Sequence, residues 1–301
     1  MPFKNMNANK VQMTGILSPE STDAFLDLVI QNTPILLEAT AVPVKIGTGT
    51  YPTTAMARYK TRGFASTSTG RQAVATLQNL TQTDVAYSVQ ELVLPLVIQD
   101  SYLEDLGDNE EGIGQKMAEM VAKVFAKDLQ FLVLNGDTSA TGTASDKLTL
   151  QKTMNGLIQQ LGAASATCPW ASTDNTVLKK LNKLVSGAPD SILAEPKSKI
   201  YVCPSDYTSL WDDVMNNNKT LAVREGRVWY RHMPVVEVEE LPQNRPIVGD
   251  MSNLFIPLKR EVYLEWQRYP EARGTKVVLS TRIDIKLYPN AKLRILAAAA
   301  S

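Results

Sequence analysis

Apolar side chains follow a helical spacing over much of the first two thirds of the chain and a strand spacing in the last third. Apolar positions three and four residues apart predict a long helix that follows an acidic stretch and ends at the Asn-Gly pair 135–136. The same spacing predicts shorter helices over 149–161, 174–185 and 204–215. From Val228 onward, short β-branched runs separated by turn residues predict strands.

One alternating run near the end of the chain predicts a strand with a single buried face. The apolar members are Ile283, Ile285 and Leu287, and the charged members are Arg282, Asp284 and Lys286. Because successive side chains of a strand point to opposite faces, we expect the apolar set in the core and the charged set in solvent. A shorter β-branched run that ends at Cys203 predicts a buried strand and a packed thiol rather than a nucleophile.

The N-terminal part of the chain contains two segments that do not resemble core elements. Residues 1–17 are polar, lack a periodic apolar face and are expected to form an arm that becomes ordered only against neighbouring subunits. Ser18 and Pro19 then open a helix that Pro34 ends. The segment 39–83 is rich in Thr, Ser, Gly and Ala, and a structureless loop of that length is uncommon in a compact domain. We expect it to form a projecting β-hairpin whose partner is another molecule.

Charge is segregated along the chain although it balances overall. Lys and Arg together number 31, as do Asp and Glu, and this zero net charge argues against a globally basic nucleic-acid binder. The segment 39–83 contains five cations and no acid: Lys45, Arg58, Lys60, Arg62 and Arg71. The stretch ahead of the long helix contains six acids and no cation: Asp100, Glu104, Asp105, Asp108, Glu110 and Glu111. Each acid near a helix N-terminus stabilises the helix by about 0.3–1 kcal/mol, which explains only one or two of the six.

Residues for common catalytic sites are scarce. His232 is the only histidine, the two cysteines form no CxxC pair, and no nucleotide-binding, zinc-protease or serine-hydrolase motif occurs. We expect a structural or interface role for His232, with no cofactor, no metal and no enzymatic activity. A soluble enzyme with a carboxylate or Ser/Thr site stays open as an alternative. The few cysteines favour a reducing compartment, and no segment resembles a signal peptide or a membrane span.

Two sequence motifs, in this order along the chain, carry a resemblance to a known family. The first runs from Gln-Asp-Ser-Tyr-Leu-Glu-Asp at 99–105 through the long helix to Phe-Leu-Val-Leu-Asn-Gly-Asp at 131–137. The second is Met-Pro-Val-Val at 233–236 followed by Ile-Val-Gly-Asp-Met-Ser-Asn-Leu at 247–254. The chain resembles the major capsid proteins of tailed double-stranded DNA bacteriophages that have the Hong Kong 97 fold. Arg231 and His232 stand where that family frequently has a glycine.

The resemblance implies an α+β, Hong Kong 97-type capsid fold with a long spine helix, peripheral and axial domains, an extended β-hairpin loop and an N-terminal arm. It divides the chain into an N-terminal arm (1–17), an N-terminal helix region (18–41), the extended β-hairpin loop (42–86), a peripheral domain with the spine helix (87–144), an axial domain (145–240) and the peripheral β segments (241–301).

The function implied by the resemblance is self-assembly into hexamers and pentamers that close an icosahedral virion shell around double-stranded DNA. Implied partners are further copies of the chain, a portal and a decoration protein, with assembly in the host cytoplasm and no membrane. Because no long scaffolding domain is present, scaffolding would come from a separate protein or not be needed. DNA contact is expected to be nonspecific, with Lys4 and Lys10 of the arm as candidates. An encapsulin-like nanocompartment, which encloses a cargo enzyme instead of DNA, is the close alternative.

In the family that the chain resembles, the extended loop lies across the adjacent subunit. We therefore predict that the loop cations and the acids ahead of the spine helix meet between subunits. The predicted inter-subunit contact residues are Arg58, Lys60, Arg62, Arg71, Glu104, Asp105, Asp108, Glu110 and Glu111.

Overall fold

The computed structural model describes residues 14–16, 29, 33–55, 81–99, 101, 110–164, 166–169, 176–216, 221–269, 271, 273–288 and 291–297. The strands among these residues are β1 (Thr14–Ile16), β2 (Thr40–Val44), β3 (Thr48–Ala55), β4 (Thr81–Ser88), β5 (Gln90–Gln99), β6 (Thr167–Cys168), β7 (Lys199–Val202), β8 (Leu221–Arg224), β9 (Arg227–Tyr230), β10 (Met233–Glu237), β11 (Ile247–Gly249), β12 (Leu254–Tyr269), β13 (Gly274–Ile283), β14 (Lys286–Leu287) and β15 (Leu293–Leu296). The α-helices are α1 (Pro34–Glu38), α2 (Glu110–Asn135), α3 (Asp146–Gln151), α4 (Leu157–Ala163), α5 (Val177–Gly187), α6 (Asp190–Leu193) and α7 (Pro204–Met215), and Met251–Asn253 forms a 3₁₀ turn.

Strand β12 organises the first sheet. It pairs antiparallel with β13 over most of its length and with β1 on its other edge, while its first residues pair with β14 and, in parallel, with β2. Strand β13 continues the sheet to β5, in a register that runs from Gly274 opposite Gln99 to Ile283 opposite Gln90. Among the described strands, β5 therefore forms one edge of this sheet.

The long helix α2 packs against this first sheet. Its residues Phe125, Leu129 and Leu132 lie in one buried cluster with Leu92 of β5 and Val277 of β13. Burial of each such side chain stabilises the fold by roughly 1.5–3 kcal/mol. The observed span of α2 confirms the predicted long helix and its end at Asn135-Gly136.

A second sheet has the strand order β6-β15-β11-β7-β10-β9-β8. Helices α5 and α7 cover it, and Leu181, Leu184 and Leu210 of these helices join Ile200 and Val235 of the sheet in a second buried cluster. The tight turn between β8 and β9 places Glu225 and Gly226 at φ 53° and 71°. Positive φ at both turn residues suits a two-residue hairpin.

Strands β3 and β4 form a separate two-stranded sheet, with Thr48 opposite Ser88 at its base and Ala55 opposite Thr81 at its far end. The residues that join the two strands, 56–80, lie outside the described part of the chain. Of the helix predicted from Ser18, the described residue Val29 is helical and buried.

The expectations for one helix and for the end of the arm are wrong. The single helix predicted over 149–161 is two helices, α3 and α4, because the chain must pass close to the end of α2 between them. Residues 14–16, predicted to be ordered only by neighbouring subunits, pair with Tyr263–Glu265 of the same chain as strand β1. The strand adds main-chain hydrogen bonds to an open sheet edge, an interaction that an apolar-face pattern does not report.

Candidate functional site

An aromatic cluster holds the base of the β3–β4 hairpin against the first sheet. The rings of Tyr51 and Phe255 are 4.8 Å apart, those of Phe255 and Tyr288 are 5.5 Å apart, and Tyr87 meets Phe255 edge-on at 6.3 Å. Such pairs contribute about 0.5–1.5 kcal/mol each beyond the area they bury. The base of the hairpin is therefore packed against the first sheet.

Asp284 fixes the same base from the end of β13. Its Oδ2 accepts a hydrogen bond from the Ser88 backbone N–H at 2.8 Å, and its Oδ1 accepts one from the Ile285 N–H at 2.8 Å. Lys286 Nζ lies 3.4 Å from the carboxylate, and the Asp284 residue is only 4% exposed. The alternating pattern placed this carboxylate in solvent, and that prediction is wrong because the strand breaks after Ile283 and Asp284 turns inward to bind the hairpin.

We predict that Asp284→Ala lowers the free energy of unfolding by about 1–3 kcal/mol, because two backbone donors lose a charged acceptor. The measurement is a urea titration followed by tryptophan fluorescence. Lys286→Ala serves as the matched control, and removal of that half-exposed partner is expected to change stability by only about 0–1 kcal/mol. Equal losses in the two variants would contradict the assignment of Asp284 as the anchor.

The Leu-Asn-Gly-Asp turn at the end of α2 is a point of close backbone approach. The Asn135 side chain donates to the Glu240 carbonyl at 2.7 Å, and the Gly156 N–H donates to the Gly136 carbonyl at 2.8 Å. A Cβ on Gly136 would lie 2.4 Å from the Met154 carbonyl oxygen. The motif therefore ties the helix end to the segment before β11 and to the α3–α4 connection, which explains why α3 and α4 are separate helices.

The Gly-Asp pair of the second motif has a similar role at the end of β11. Gly249 has φ 137°, and a Cβ there would lie 2.1 Å from the Lys292 carbonyl oxygen. Asp250 caps the 3₁₀ turn by accepting from the Ser252 N–H at 2.9 Å. Because Gly249 has no Cβ, the backbone at the start of β15 can lie close to β11. The Asp250 cap then fixes the 3₁₀ turn that leads into β12.

Arg231 occupies the position where the resembled family frequently has glycine, and its φ is 56°. Its guanidinium donates to Asn182 Oδ1 of α5 at 2.9 Å and lies 5.4 Å from the Tyr230 ring. The neighbouring His232 is exposed and its Nε2 lies 3.1 Å from the Leu193 carbonyl oxygen. These contacts fit the predicted structural role of His232.

Glu38 joins the end of α1 to the second sheet. Its carboxylate accepts from Lys199 Nζ at 2.6 Å and from the Tyr201 hydroxyl at 2.5 Å. Burial and the hydrogen bond to Glu38 both raise the pKa of Tyr201, so this phenol stays a proton donor. The charge-assisted contacts hold the segment that leads into β2 and the hairpin.

Both cysteines are buried, which confirms the packed thiol predicted at Cys203. Cys203 Sγ lies 3.2 Å from Ser205 Oγ, and Cys168 Sγ lies 3.7 Å from the Leu184 carbonyl oxygen. Burial raises the pKa of the Cys168 thiol, which disfavours the reactive thiolate.

Asp128, on α2, is a half-buried acid close to Glu240. Burial, and then the Glu240 charge, raise its pKa above the ordinary value of 3.8. In the folded protein this carboxyl therefore holds its proton to higher pH than in the unfolded chain. Its ionisation lowers stability as the pH rises from 3.8 through the folded-state pKa.

We predict that Asp128→Asn increases the free energy of unfolding at pH 7, and that the difference from the original chain disappears below pH 3.8. Thermal unfolding measured across this pH range tests it. Asp212→Asn, which changes an exposed carboxylate of α7, controls for the altered net charge. A gain in stability that is independent of pH would contradict the electrostatic explanation.

The predicted inter-subunit contact residues are not brought together within the described structure. Arg58, Lys60, Arg62, Arg71, Glu104, Asp105 and Asp108 lie outside the described residues. Glu110 and Glu111 form the first turn of α2, and their side chains lie outside the described part. The predicted contact therefore stays a prediction.

Strand β5 carries an exposed apolar face that sequence reasoning missed. Val93 and Val97 are 55% and 51% exposed, while Leu92 and Ile98 on the opposite face are buried. The sequence contained a signal for this face, because every residue from Leu92 to Ile98 is apolar and both faces of the strand are therefore apolar. Among the described strands, β5 lies at the sheet edge. Within the described part of the chain, it thus combines an unpaired backbone edge with exposed valines, a combination that edge strands usually avoid.

No protein-family model and no curated protein sequence matches the chain. Solved structures do match over nearly the full length. A chain of the satellite phage P4 procapsid, determined with its size determination (Sid) protein, is similar with TM-score 0.63 at 13% identity, covering 91% of this chain and 98% of that chain. The chain has the Hong Kong 97 fold.

Two further structures with this fold come from different kinds of particle. The capsid of an empty GTA particle is similar with TM-score 0.55 at 12% identity, covering 89% of this chain and 90% of that chain. The SrpI encapsulin from Synechococcus elongatus PCC 7942 is similar with TM-score 0.54 at 10% identity, covering 89% of each chain. In Hong Kong 97 terms, α2 is the spine helix and the β3–β4 pair is the base of the extended loop.

The described helices include none with the length and apolar character that crossing a membrane requires.

Proposed function

We propose that this chain is the major capsid protein of a tailed double-stranded DNA bacteriophage, which self-assembles into the hexamers and pentamers of an icosahedral head. The observation that carries the proposal is the Hong Kong 97 fold, matched over 91% of this chain and 98% of a phage procapsid chain. Coverage this high on both sides supports the same overall architecture for this chain and that shell subunit.

Features of the surface support a shell role. A capsid subunit makes several different contacts with its neighbours, and this chain offers a separate two-stranded hairpin, an edge strand with exposed valines and segregated charge. The hairpin base is held by aromatic packing and by Asp284, so a contact made by its tip would be transmitted to a rigid core. A non-enzymatic role fits these features and the shell proteins that share the fold.

The proposed partners are further copies of the chain, a portal and a decoration protein, with scaffolding supplied by a separate protein or not needed. The proposed location is the virion capsid, assembled in the host cytoplasm. The loop cations Arg58, Lys60, Arg62 and Arg71 would meet the acids ahead of the spine helix on an adjacent subunit.

Electron microscopy of the purified full chain tests the proposal. Rings, tubes or closed shells are expected at high protein concentration, and nuclease-protected DNA is expected in particles isolated from infected cells. A monodisperse monomer or dimer that forms no particle under any assembly condition would contradict the proposal.

An encapsulin-like compartment is the second candidate, because the SrpI encapsulin shares the fold over 89% of both chains. Particle contents separate the two functions. Protected DNA supports the phage head, whereas a co-purifying protein cargo without nucleic acid supports the compartment.

A further inference from the structure

Two neighbouring elements of the second sheet and its helices are rich in cations. Helix α5 contains three lysines and no Asp or Glu, and residues 226–236 contain two arginines and no Asp or Glu, with the exposed Glu225 and Glu237 directly at the two ends of that run. Lys179, Lys183, Arg227 and Arg231 are all exposed. In a chain with zero net charge, this concentration makes a distinctly positive surface. We call these four residues the basic face.

Asn182 brings the two elements together. Its Oδ1 accepts from the Arg231 guanidinium at 2.9 Å and lies 3.5 Å from the Tyr230 hydroxyl. Lys179 and Lys183 are one helical turn apart and flank Asn182 on the exposed side of α5. Asn182 therefore joins Arg231 to the helix that also carries Lys179 and Lys183.

The charge of the basic face is not neutralised within the described structure. The ion pairs found there involve Lys127, Lys199, Arg282, Lys286 and Lys292, and none includes a residue of the basic face. The partner of Arg231 is a neutral amide, so its full positive charge stays available to a ligand.

We propose that the basic face binds the phosphate backbone of duplex DNA without sequence preference. The proposal rests on the proposed function, because a shell that encloses DNA needs a surface that faces it. Phosphate recognition requires cations and hydrogen-bond donors, and an arginine fork suits phosphate oxygens particularly well. Neither α5 nor 227–232 exposes a large apolar side chain, so an acidic polypeptide would find charge here but no apolar anchor.

This assignment places DNA contact on a packed part of the fold rather than on the arm. Lys4 and Lys10, the candidates from the sequence, lie outside the described residues. The elements that carry the basic face also supply Leu181 and Tyr230 to the second buried cluster, so the backbone beneath these cations is packed before DNA is bound.

A triple variant, Lys179→Gln, Lys183→Gln and Arg231→Gln, tests the proposal in the full chain. The probe is a fluorescent duplex of about 30 base pairs, titrated from about 50 to about 200 mM salt. Each phosphate contact contributes about 0.9 to the slope of log K against log salt, so losing three is expected to reduce that slope by about 2.7. The double variant Lys179→Gln, Lys183→Gln should lose about 1.8, and it keeps the Arg231–Asn182 contact if the triple variant folds poorly.

The matched control is Lys123→Gln, Lys152→Gln and Arg273→Gln. These residues are exposed cations on other elements, and the change removes the same charge. The control is expected to keep the salt slope of the original chain. Equal slopes for the original chain and the triple variant would overturn the proposal, as would tighter binding of a poly-glutamate peptide than of the duplex at equal ionic strength.

Electron microscopy of the same variants separates this proposal from the proposed function. Particles are expected from the original chain, the control and the triple variant alike. Failure of the triple variant alone to assemble, with its DNA affinity intact, would make the basic face an inter-subunit contact and overturn the DNA assignment. Failure of every chain to assemble would count against the capsid function, while the salt slopes would still decide the DNA contact.

Discussion

Replacing Gly249 by alanine is expected to destabilise the chain by about 4 kcal/mol, a large share of the stability of an ordinary domain. Two effects combine at this position. The φ of 137° lies in a region that side chains with a Cβ rarely adopt, and the added methyl would meet the Lys292 carbonyl oxygen at 2.1 Å. That oxygen belongs to the backbone beside β15, so it cannot move without disturbing the second sheet.

Two other glycines provide matched controls for Gly249. Gly226 also has a positive φ, 71°, but a Cβ there meets nothing within 4 Å, so Gly226→Ala should cost only about 1–2 kcal/mol. Gly162 lies in α4 with open space around it, and Gly162→Ala should stabilise the chain by about 0.5–1 kcal/mol. Urea midpoints of the three variants measure the series. Similar losses at Gly249 and Gly226 would show that backbone strain alone matters and that the approach of β15 does not.

The local spacing of apolar residues was sufficient to predict the elements that pack one face against an apolar surface. The spine helix has apolar residues at helical spacing because one face packs on a sheet, and its end at Asn135-Gly136 is encoded by the next few residues. Helix α7 is likewise bounded by a proline at its start. In these cases the information that determines the element lies within it.

Other features depend on residues far apart in sequence, and no local pattern reports them. Asp284 is buried because the Ser88 N–H, 196 positions away, needs an acceptor. Gly156 interrupts a helical pattern because the end of α2 passes within hydrogen-bonding distance. Arg231 adopts φ 56°, and its guanidinium donates to Asn182 of a distant helix. The sequence showed only that an arginine stands where the resembled family frequently has glycine. The predicted loop contacts would be of this long-range kind too, because the prediction places them between subunits.

Charge reversal in the extended loop is expected to block assembly while the subunit stays folded. The variant changes Arg58, Lys60 and Arg62 together to Glu. The described base of the hairpin is held by Tyr51, Phe255 and their neighbours, so the core is expected to keep its stability. One exposed pair contributes only about 0–1 kcal/mol, but a capsomer repeats the contact around its ring, and opposed like charges at every repeat disfavour closure.

A compensating variant makes the loop prediction specific. Adding Glu104→Lys, Asp105→Lys and Asp108→Lys to the reversed loop restores opposite signs if the two clusters meet between subunits. Shell yield, measured by sedimentation and electron microscopy at low ionic strength, is expected to fall to background in the first variant and to recover partly in the second. Circular dichroism of both should match the original chain. Normal shell yield from the reversed loop would show that these cations are merely solvated, and a loss that the acid-to-lysine changes leave unrepaired would place their partner elsewhere on the neighbouring subunit.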